Sequence, residues 1–546
     1  TLFSHQQNLV VFVLTLFSFV TTKEEQSLPN SKFCYEKGDL ITYEVPPACS
    51  VVMAKSSLNG WGIFSLQDRK RGRPVLFGDV VIQLTDVLNR SGIEYLLDTY
   101  TWDSHKTGGM LEGHRDVFSI VPGLGMIANA APKEYSNILP YHPSKDDGNC
   151  DRGSCAAAGS FSHYHNYTWF IHKDVIAGQE LLVYRQDSWL ENHEFLKHEA
   201  WKNISEPLKH SVEWLRQNGI CLDNLRPLRE TPGAGRGAIS ARRIPKNAVV
   251  SPLPVIPIFN WEKSMDYVRR NVSTKAWKND LHQHLWQLLI NYSLGHVNSS
   301  MLLYPYSPIV NFINHGDKEK VNVRLEWSQH PNLFLHREWL NKDLHAFKSS
   351  KKPGLLLELI ATRDISIGEE IWLDYGADWV TAWDAHKKHT WKPFVGRNTP
   401  ALVMDEVAQK LRTSKEQKDY PYADNLQTFC FHDFLPKFNQ VNTPTGGITT
   451  VPWNWTRNVF DWENFRPCTI LHRDDATGFY TAQIRNRQGT IHVPKRHIVS
   501  KIPRPAIRFA EKPLTTDQHL PNAFRHWIGI PDDIFPRKWK DKGGYE

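Results

Sequence analysis

Residues 355–376 read LLLELIATRDISIGEEIWLDYG, and the rest of the chain is interpreted outward from this stretch. The apolar run at 355–361 predicts a buried strand. Arg363 and Asp364 begin a turn that Gly368 closes. A second short strand is predicted at 371–373, and it ends in Asp-Tyr-Gly at 374–376.

Two marked stretches lie upstream, SPIVNFINH at 307–315 and GAGRGAI at 233–239. Each block alone is an ordinary turn or strand end. In this order and at this spacing, the three blocks resemble the SET-domain lysine methyltransferases. That family has a Gly-x-Gly strand opening, then Phe-Ile-Asn-His, Arg-Asp-Ile, a Gly-Glu-Glu turn and Asp-Tyr-Gly. The resemblance implies a mainly β fold with α insertions.

The resemblance also implies S-adenosyl-L-methionine as cofactor and a lysine side chain of a protein as substrate. Glycine suits a turn where backbone approaches the cofactor. Asn314 and His315 match the positions that hold its adenine and amino-acid portions. The residues so assigned to cofactor binding are Gly235, Arg236, Gly237, Asn314 and His315.

Methyl transfer from this cofactor needs three atoms in line and a neutral amine. Free lysine has a pKa of about 10.4, and a dry apolar channel lowers the pKa of an amine. Tyr375 matches the family tyrosine whose hydroxyl lies beside the methyl group and the lysine nitrogen, and it is the predicted catalytic residue. Trp379 or Trp383 is expected to close the site from behind.

The layout of the three blocks occurs earlier in the chain as well. GWGIF at 60–64, PGLGMIANA at 122–130 and HKDVIAGQELLV at 172–183 follow the same order. We therefore predict two tandem SET-like units, because internal repeats define the architecture where they occur.

The first unit departs from the family at the positions that carry chemistry. Ala130 stands where the second unit has His315, and Arg185 stands where it has Tyr375. Tyr184 would reach the site only by a one-residue slip, which turns a strand side chain to the other face. The first unit is therefore predicted to be structural or substrate-binding, and the second to be the active one.

Two features favour the non-histone members of the family, which carry a helical insert. Gly316 and Asp317 follow Asn-His where the family often has Ser-Cys, and no cysteine lies between Cys221 and Cys430 to form a zinc segment. An amphipathic helix is predicted at 281–292.

The predicted domains follow the composition of the chain. They are a leader or anchor at 1–22, a degenerate SET-like domain at 34–190, a helical bridge at 191–219, a SET domain at 220–384, a helical or loop linker at 385–450, and a small β-barrel-like module with an aromatic tail at 451–546. The last module faintly resembles Tudor or SH3-like domains, which suits either a methyl-lysine cage or simple packing. The tail is expected to dock on the body. Over most of its length the chain resembles SET-containing proteins of algae and related protists.

The N-terminal apolar run at 9–20 is short for a membrane span and has the length of a signal-peptide core. A buried strand or a membrane anchor are the alternatives. N-glycosylation is predicted at Asn89, Asn203, Asn271, Asn298 and Asn454. We therefore predict the secretory pathway or the cell exterior, or a membrane-anchored protein, with no stable membrane insertion beyond the leader.

The net charge of +7 on 546 residues is mild, and the basic clusters at 69–71 and 348–352 are short. They are interpreted as solvated loops, so no nucleic-acid partner is predicted. Cys34–Cys49 and Cys150–Cys155 are plausible local disulfides in a secreted chain. No metal site is predicted, because Cys150 and Cys155 lack a second pair nearby.

Two functions from different classes therefore compete. The first is a protein-lysine methyltransferase of the secretory pathway whose second unit is active. The second is a non-catalytic SET-like structural or binding glycoprotein. The Tyr375, Asn314 and His315 set favours the first function.

Overall fold

The structure is a computed structural model. It describes residues 46–58, 60–80, 82–84, 93–103, 118–141, 165–185, 187–191, 201, 208–231, 235–267, 285–348, 354–389, 404–405, 407–423, 426–432, 449–455, 465–485, 497–511 and 524–540. The predicted leader, Cys34, Cys150, Cys155, Asn89, Asn203 and Asn271 lie outside these residues. Within them, no helix is both long and apolar enough to cross a membrane.

The first region, the described residues of 46–221, is built of short strands and short helices. Its elements are β1 Val51–Lys55, β2 Trp61–Ser65, β3 Asp79–Val80, β4 Ile82–Leu84, α1 Glu94–Tyr100, β5 Thr101–Asp103, β6 Phe118–Ile120, α2 Leu124–Ile127, β7 Ile138–Tyr141, β8 His165–Ile171, β9 Glu180–Leu181, α3 Asp187–Glu191, α4 Val212–Asn218 and β10 Ile220–Cys221. Three small sheets result, with strand orders β10-β1-β2-β9, β3-β8-β7 and β4-β6-β5.

The second region, the described residues of 222–389, has longer and more apolar strands. Its elements are β11 Leu225–Thr231, β12 Gly235–Ser240, β13 Val249–Ile258, α5 Trp261–Ser264, β14 Asp266–Tyr267, β15 Leu285–Trp286, β16 Leu294–Gly295, β17 Leu302–Pro305, β18 Asn314–His315, β19 Val323–Trp327, α6 Leu344–Lys348, β20 Leu355–Ala361, β21 Trp372–Leu373 and α7 Ala377–His389, with 3₁₀-helices at Leu288–Tyr292, Val310–Phe312 and Arg337–Asn341. Every residue of β20 is buried, as the apolar run predicts.

The C-terminal region, the described residues of 404–540, holds a separate core and a tail. Its elements are α8 Glu416–Asp419, β22 Leu426–Phe431, β23 Thr449–Pro452, β24 Phe465–Arg473, β25 Tyr480–Ile484, β26 His497–Ile502, β27 Ile507–Glu511 and β28 Ile528–Gly529, with 3₁₀-helices at Arg504–Ala506 and Arg537–Trp539. A six-stranded sheet has the order β23-β26-β25-β24-β22-β27. Closure of this sheet into a barrel stays a prediction.

The tail at 524–540 joins the second region rather than the C-terminal sheet. Strand β28 pairs in parallel with β16 and becomes the last strand of an eight-stranded sheet with the order β18-β21-β19-β20-β13-β17-β16-β28. Trp327 donates from its indole nitrogen to the Ile534 carbonyl at 2.9 Å, and Trp539 donates to Lys342 at 3.1 Å. The buried Trp539 ring therefore anchors the tail on this sheet.

The first and second regions repeat one pattern of main-chain hydrogen bonds. Gly178 donates to the Ser65 carbonyl at 2.7 Å, and Gly368 donates to the Ser240 carbonyl at 2.8 Å. Both glycines have positive φ, as the turns that they close require. In each region, an equivalent strand end is thus hydrogen-bonded to an equivalent turn.

A buried asparagine bridges the strands at the same place in each region. The Asn137 amide donates to the Glu180 carbonyl at 2.8 Å and accepts from the Leu182 nitrogen at 2.8 Å. The matching set in the second region is Asn322, Glu370 and Trp372, at 2.7 and 2.9 Å. Side-chain bonds at matching positions set one register for both regions.

That register makes the chemistry-bearing positions of the two regions equivalent. Ala130 forms a parallel bridge with Val183, and His315 forms a parallel pair with Leu373. Arg185 of the first region therefore occupies the position of Tyr375 in the second.

Four sequence-based expectations are wrong. Cys49 pairs with Cys221 and not with Cys34, because β10 lies beside β1 and brings Cys221 next to it. The predicted helix at 281–292 is instead β15 and a 3₁₀-helix in its described part, 285–292, since β15 pairs with β14. The predicted linker contains β22, an interior strand of the C-terminal sheet that a Cys430–Cys468 disulfide links to β24. Arg69 is buried rather than solvated, because it donates to the Val75 carbonyl and the Ser50 hydroxyl.

Candidate functional site

Two short parallel strands bring the predicted site together at one edge of the eight-stranded sheet. Strand β18 contributes Asn314 and His315, and it pairs with β21, which leads directly into Asp374 and Tyr375. The backbone nitrogen of Tyr375 donates to Nδ1 of His315 at 3.1 Å, although the two residues are 60 apart in sequence.

Tyr375 is held at both ends. Its backbone carbonyl accepts a hydrogen bond from Gly529 of the tail at 2.9 Å, and its hydroxyl donates to the Ile313 carbonyl. Burial raises the pKa of this hydroxyl above its usual value. Tyr375 is therefore a neutral phenol at physiological pH, with its proton engaged and its oxygen lone pairs available.

His315 is a neutral ring fixed in one tautomer. Its Nδ1 accepts from Tyr375, so the proton of the neutral ring lies on Nε2. Burial lowers the pKa of His315, and the nearby Asp374 and Asp317 only partly oppose that effect. Asp374 Oδ1 lies 3.9 Å from Nδ1.

Asn314 connects the site to the glycine strand. Its amide donates to Glu370 Oε1 at 3.4 Å, and Glu370 forms a bridge with Ile239 of β12. The backbone of Gly235, Arg236 and Gly237 opens that strand. Strand β12 also contacts the 3₁₀-helix Val310–Phe312, which precedes Asn314.

A cavity of 160 Å³ adjoins these residues. Among the described residues, its lining consists of apolar side chains, three asparagines and two tyrosines, with no charged residue. The lining residues are Leu253, Asn291, Tyr292, Leu294, Pro305, Val310, Asn311, Phe312, Ile313, Asn314, Leu325, Leu359, Leu373, Tyr375, Trp379, Phe524 and Ile528. Tyr375 and Asn314, assigned separately from two motifs, thus face one space.

Aromatic rings form one wall of the cavity. Trp379 lies edge-on to Tyr375 with ring centres 5.0 Å apart, and 5.2 Å from His315. Phe524 packs edge-on against Trp379 at 5.6 Å and against Trp383 at 5.0 Å. Of the two tryptophans named from sequence, Trp379 lines the cavity and Trp383 supports it from outside.

Sequence reasoning missed the tail as a part of this site. The Asn291 amide donates to the Phe524 carbonyl at 3.2 Å and accepts from the His526 nitrogen at 3.2 Å. This pair of bonds places the Phe524 ring over Trp379. The aromatic composition of the tail predicts that it docks, but nothing in the sequence marks Asn291 as its receptor.

A comparison with family models finds a match in the same part of the chain. The family model of the SET domain matches residues 235–376. This chain contains a SET domain. The match begins at the glycine strand and ends just after Tyr375, so it holds every site residue predicted from sequence except the two tryptophans.

Two solved structures illustrate what the chain is similar to. A candidate histone methyltransferase from Plasmodium falciparum is 15% identical over 29% of this chain and 96% of its own, with a TM-score of 0.17. Polycomb Repressive Complex 2 of Chaetomium thermophilum, bound to an inhibitor, is 20% identical over 26% of this chain and 15% of its own, with a TM-score of 0.18. A search of curated proteins finds no match.

Two predicted glycosylation sites fall within the described residues. Asn298 is exposed on the SET domain, and Asn454 is half-buried in the C-terminal region. Asn89, Asn203 and Asn271 remain predictions outside the described residues.

Proposed function

We propose that the second region is a protein-lysine methyltransferase that uses S-adenosyl-L-methionine. The observation that carries this proposal is that Asn314, Tyr375 and Trp379 line one cavity whose described lining residues are all uncharged. An apolar cavity disfavours an ammonium group, so it lowers the pKa of an entering lysine toward the neutral amine that methyl transfer needs.

The residues present suit the cofactor. Bound S-adenosyl-L-methionine supplies a methyl group already activated by a sulfonium. The backbone of Gly235–Gly237, the Asn314 amide and the neutral His315 ring would hold it, because they offer hydrogen-bonding groups without adding a positive charge beside a cation. Glu370 holds the Asn314 amide toward the glycine strand.

Tyr375 and Trp379 are proposed to act at the reacting methyl group and around it. The Tyr375 hydroxyl donates a hydrogen bond to the Ile313 carbonyl, so its oxygen presents the negative end of a fixed dipole to a cationic methyl donor. Its raised pKa argues against a role as general base. Trp379 and Phe524 exclude water behind it.

We further propose that the first region is a second SET-like unit without catalytic activity. The Arg185 guanidinium fills the position of Tyr375, where it donates to the carbonyls of Gly125, Thr99 and Thr101 and lies 4.3 Å from the Trp102 ring centre. A fixed cation there repels both a sulfonium and an ammonium.

A secretory or extracellular location is proposed as well. The Cys49–Cys221 and Cys430–Cys468 disulfides support it, since disulfides persist in oxidising compartments. The apolar leader and the exposed sequon at Asn298 point the same way.

Calorimetric titration of the full chain with S-adenosyl-L-methionine tests the proposal. We expect micromolar binding that is lost in Asn314→Ala and kept in Asn332→Ala, an exposed asparagine of the same region. A folded chain that binds none would overturn the enzyme in favour of the non-catalytic structural or binding glycoprotein.

A further inference from the structure

Asp79 of the first region reaches into the loop that leads to the cofactor residues of the second. Its Oδ2 accepts from the Ile309 nitrogen at 2.9 Å, and its Oδ1 accepts from its neighbour Val80 at 2.8 Å. The side chain is 5% exposed. No ion pair of Asp79 occurs among the described residues, so this carboxylate is buried with backbone donors alone.

A buried carboxylate without a cation is costly, and burial accordingly raises the pKa of Asp79 to about 7. Packing alone would be better served by an apolar residue of similar size. Accepting hydrogen bonds from these two backbone N–H groups is therefore its evident role, and one of the two groups belongs to the other region.

Ile309 is the residue that needs such a partner. It has φ +67° and ψ −11°, a left-handed conformation that is strained for a β-branched side chain. Ile309 opens the 3₁₀-helix Val310–Phe312, whose Phe312 nitrogen donates back to the Ile309 carbonyl at 2.9 Å. This helix passes directly into Ile313 and Asn314.

The rest of the loop is also held from the first region. Gly123 approaches Pro308 so closely that a Cβ atom on Gly123 would lie 3.0 Å from the Pro308 Cα. The hydroxyls of Tyr100 and Tyr306 lie 3.4 Å apart. Three neighbouring positions of one loop thus rest on the first region.

We propose that Asp79 is a positioning residue for the cofactor site, through which the first region holds the loop at 306–309 in the shape that places Ile313 and Asn314. This inference rests on the proposed function. Asp79 touches neither the cavity nor Tyr375, and it acts only through Ile309 and the 3₁₀-helix that follows.

The test compares Asp79→Asn with wild type by calorimetric titration with S-adenosyl-L-methionine, using the full chain. An amide has one acceptor oxygen for two N–H groups, so its NH₂ must face a donor. Because small displacements in a site have large effects, we expect the Kd to rise about tenfold at unchanged binding stoichiometry. Asp174→Asn is the matched control, an exposed aspartate of the first region that accepts from Arg71 within its own region.

Each outcome decides the inference. A merely structural role would lower the fraction of folded, binding-competent protein, and so the stoichiometry, while leaving Kd unchanged; that result, or an unchanged titration, overturns the proposal. If Asp79→Asn does not fold, Gly123→Ala displaces Pro308 from the same side: a weaker Kd supports the proposal and an unchanged Kd overturns it. If wild type itself binds no cofactor, the proposed function is overturned. If wild type binds and only the Asp79 prediction fails, the proposed function stands.

Discussion

Asn129 and Asn314 occupy matching positions in the first and second regions, yet their surroundings differ. Asn129 donates at 2.8 Å to Glu180, which is 0% exposed and also accepts from Ser56. Asn314 donates to Glu370 at 3.4 Å, and both of these residues are half-buried beside a cavity.

The glycine-containing strands of the two regions differ in the same way. A Cβ atom on Gly62 would lie 2.0 Å from Glu180 Oε1, so the carboxylate covers the backbone that a cofactor would approach. The first region thus keeps the hydrogen bonds of the skeleton and fills its site with its own side chains. Under the proposed function, one fold skeleton serves for packing in the first region, where Glu180 and Arg185 close it, and for binding in the second, which has an open edge and Tyr375 instead.

The largest expected effect is on methyl transfer in Tyr375→Phe. Removing the hydroxyl removes the fixed dipole at the reacting methyl group, so the rate should fall about 10²–10³-fold while cofactor affinity stays unchanged. The measurement is transfer of a labelled methyl group from S-adenosyl-L-methionine to a pool of lysine peptides, with Tyr184→Phe of the first region as control. Equal rates in wild type and Tyr375→Phe would remove the mechanistic difference between the regions.

Arg185→Met should destabilise the protein without weakening the site. The thioether keeps the apolar stem but removes the guanidinium donor from the Thr99, Thr101 and Gly125 carbonyls, of which Gly125 still accepts from the Trp102 indole nitrogen. The loss should be about 2–4 kcal/mol in the free energy of unfolding. Urea denaturation measures this loss.

Arg324→Met is the control for that measurement, since its partner Glu326 is partly exposed and such surface pairs contribute about 0–1 kcal/mol. Cofactor binding that weakens in Arg185→Met, beyond the loss of folded protein, would show that the first region takes part in binding.

Variants of the two bridging asparagines, Asn137 and Asn322, distinguish effects on stability from effects on cofactor binding. Asn137→Ala and Asn322→Ala each remove the two hydrogen bonds that a buried amide side chain makes with the backbone, so each should cost about 2–3 kcal/mol in unfolding free energy. Only Asn322→Ala should also weaken cofactor binding, because the same Glu370 holds Asn314. Calorimetry after correction for folded fraction distinguishes the two, and similar losses of affinity in both variants would contradict the division of roles.

Much of the site was available from the sequence, because motif order places Asn314, His315 and Tyr375 in two strands that the family fold brings together. The contacts that complete the site could not be predicted from the sequence. Asn291 and Phe524 are separated by 233 residues. Likewise, Cys49 and Cys221 are 172 apart, and strand pairing rather than local spacing selects their bond. The apolar spacing at 285–292 fits a helix, but pairing of β15 with β14 decides its conformation.

The smallest expected effect is a change in the pH dependence of stability caused by Glu180. Burial raises the pKa of Glu180 to about 7, above its value in the unfolded chain. The native state therefore binds the proton more tightly, and stability should fall as pH rises from about 4.5 to 7. Glu180→Gln keeps the oxygen that accepts from Asn129 and does not titrate, so at pH 8 it should be more stable than wild type by about 1–2 kcal/mol.

Urea denaturation at pH 5 and pH 8 checks this expectation, and the difference between the two proteins should be confined to the higher pH. A residual slope should remain in the variant, since the pKa of buried Asp79 is raised to about 7 as well. Glu134→Gln, a change at a residue of the first region whose side chain is exposed, should leave the profile unaltered. If wild type and Glu180→Gln have the same profile, Glu180 is not the buried acid that closes the first region, and the contrast with the open edge at Glu370 loses its electrostatic basis.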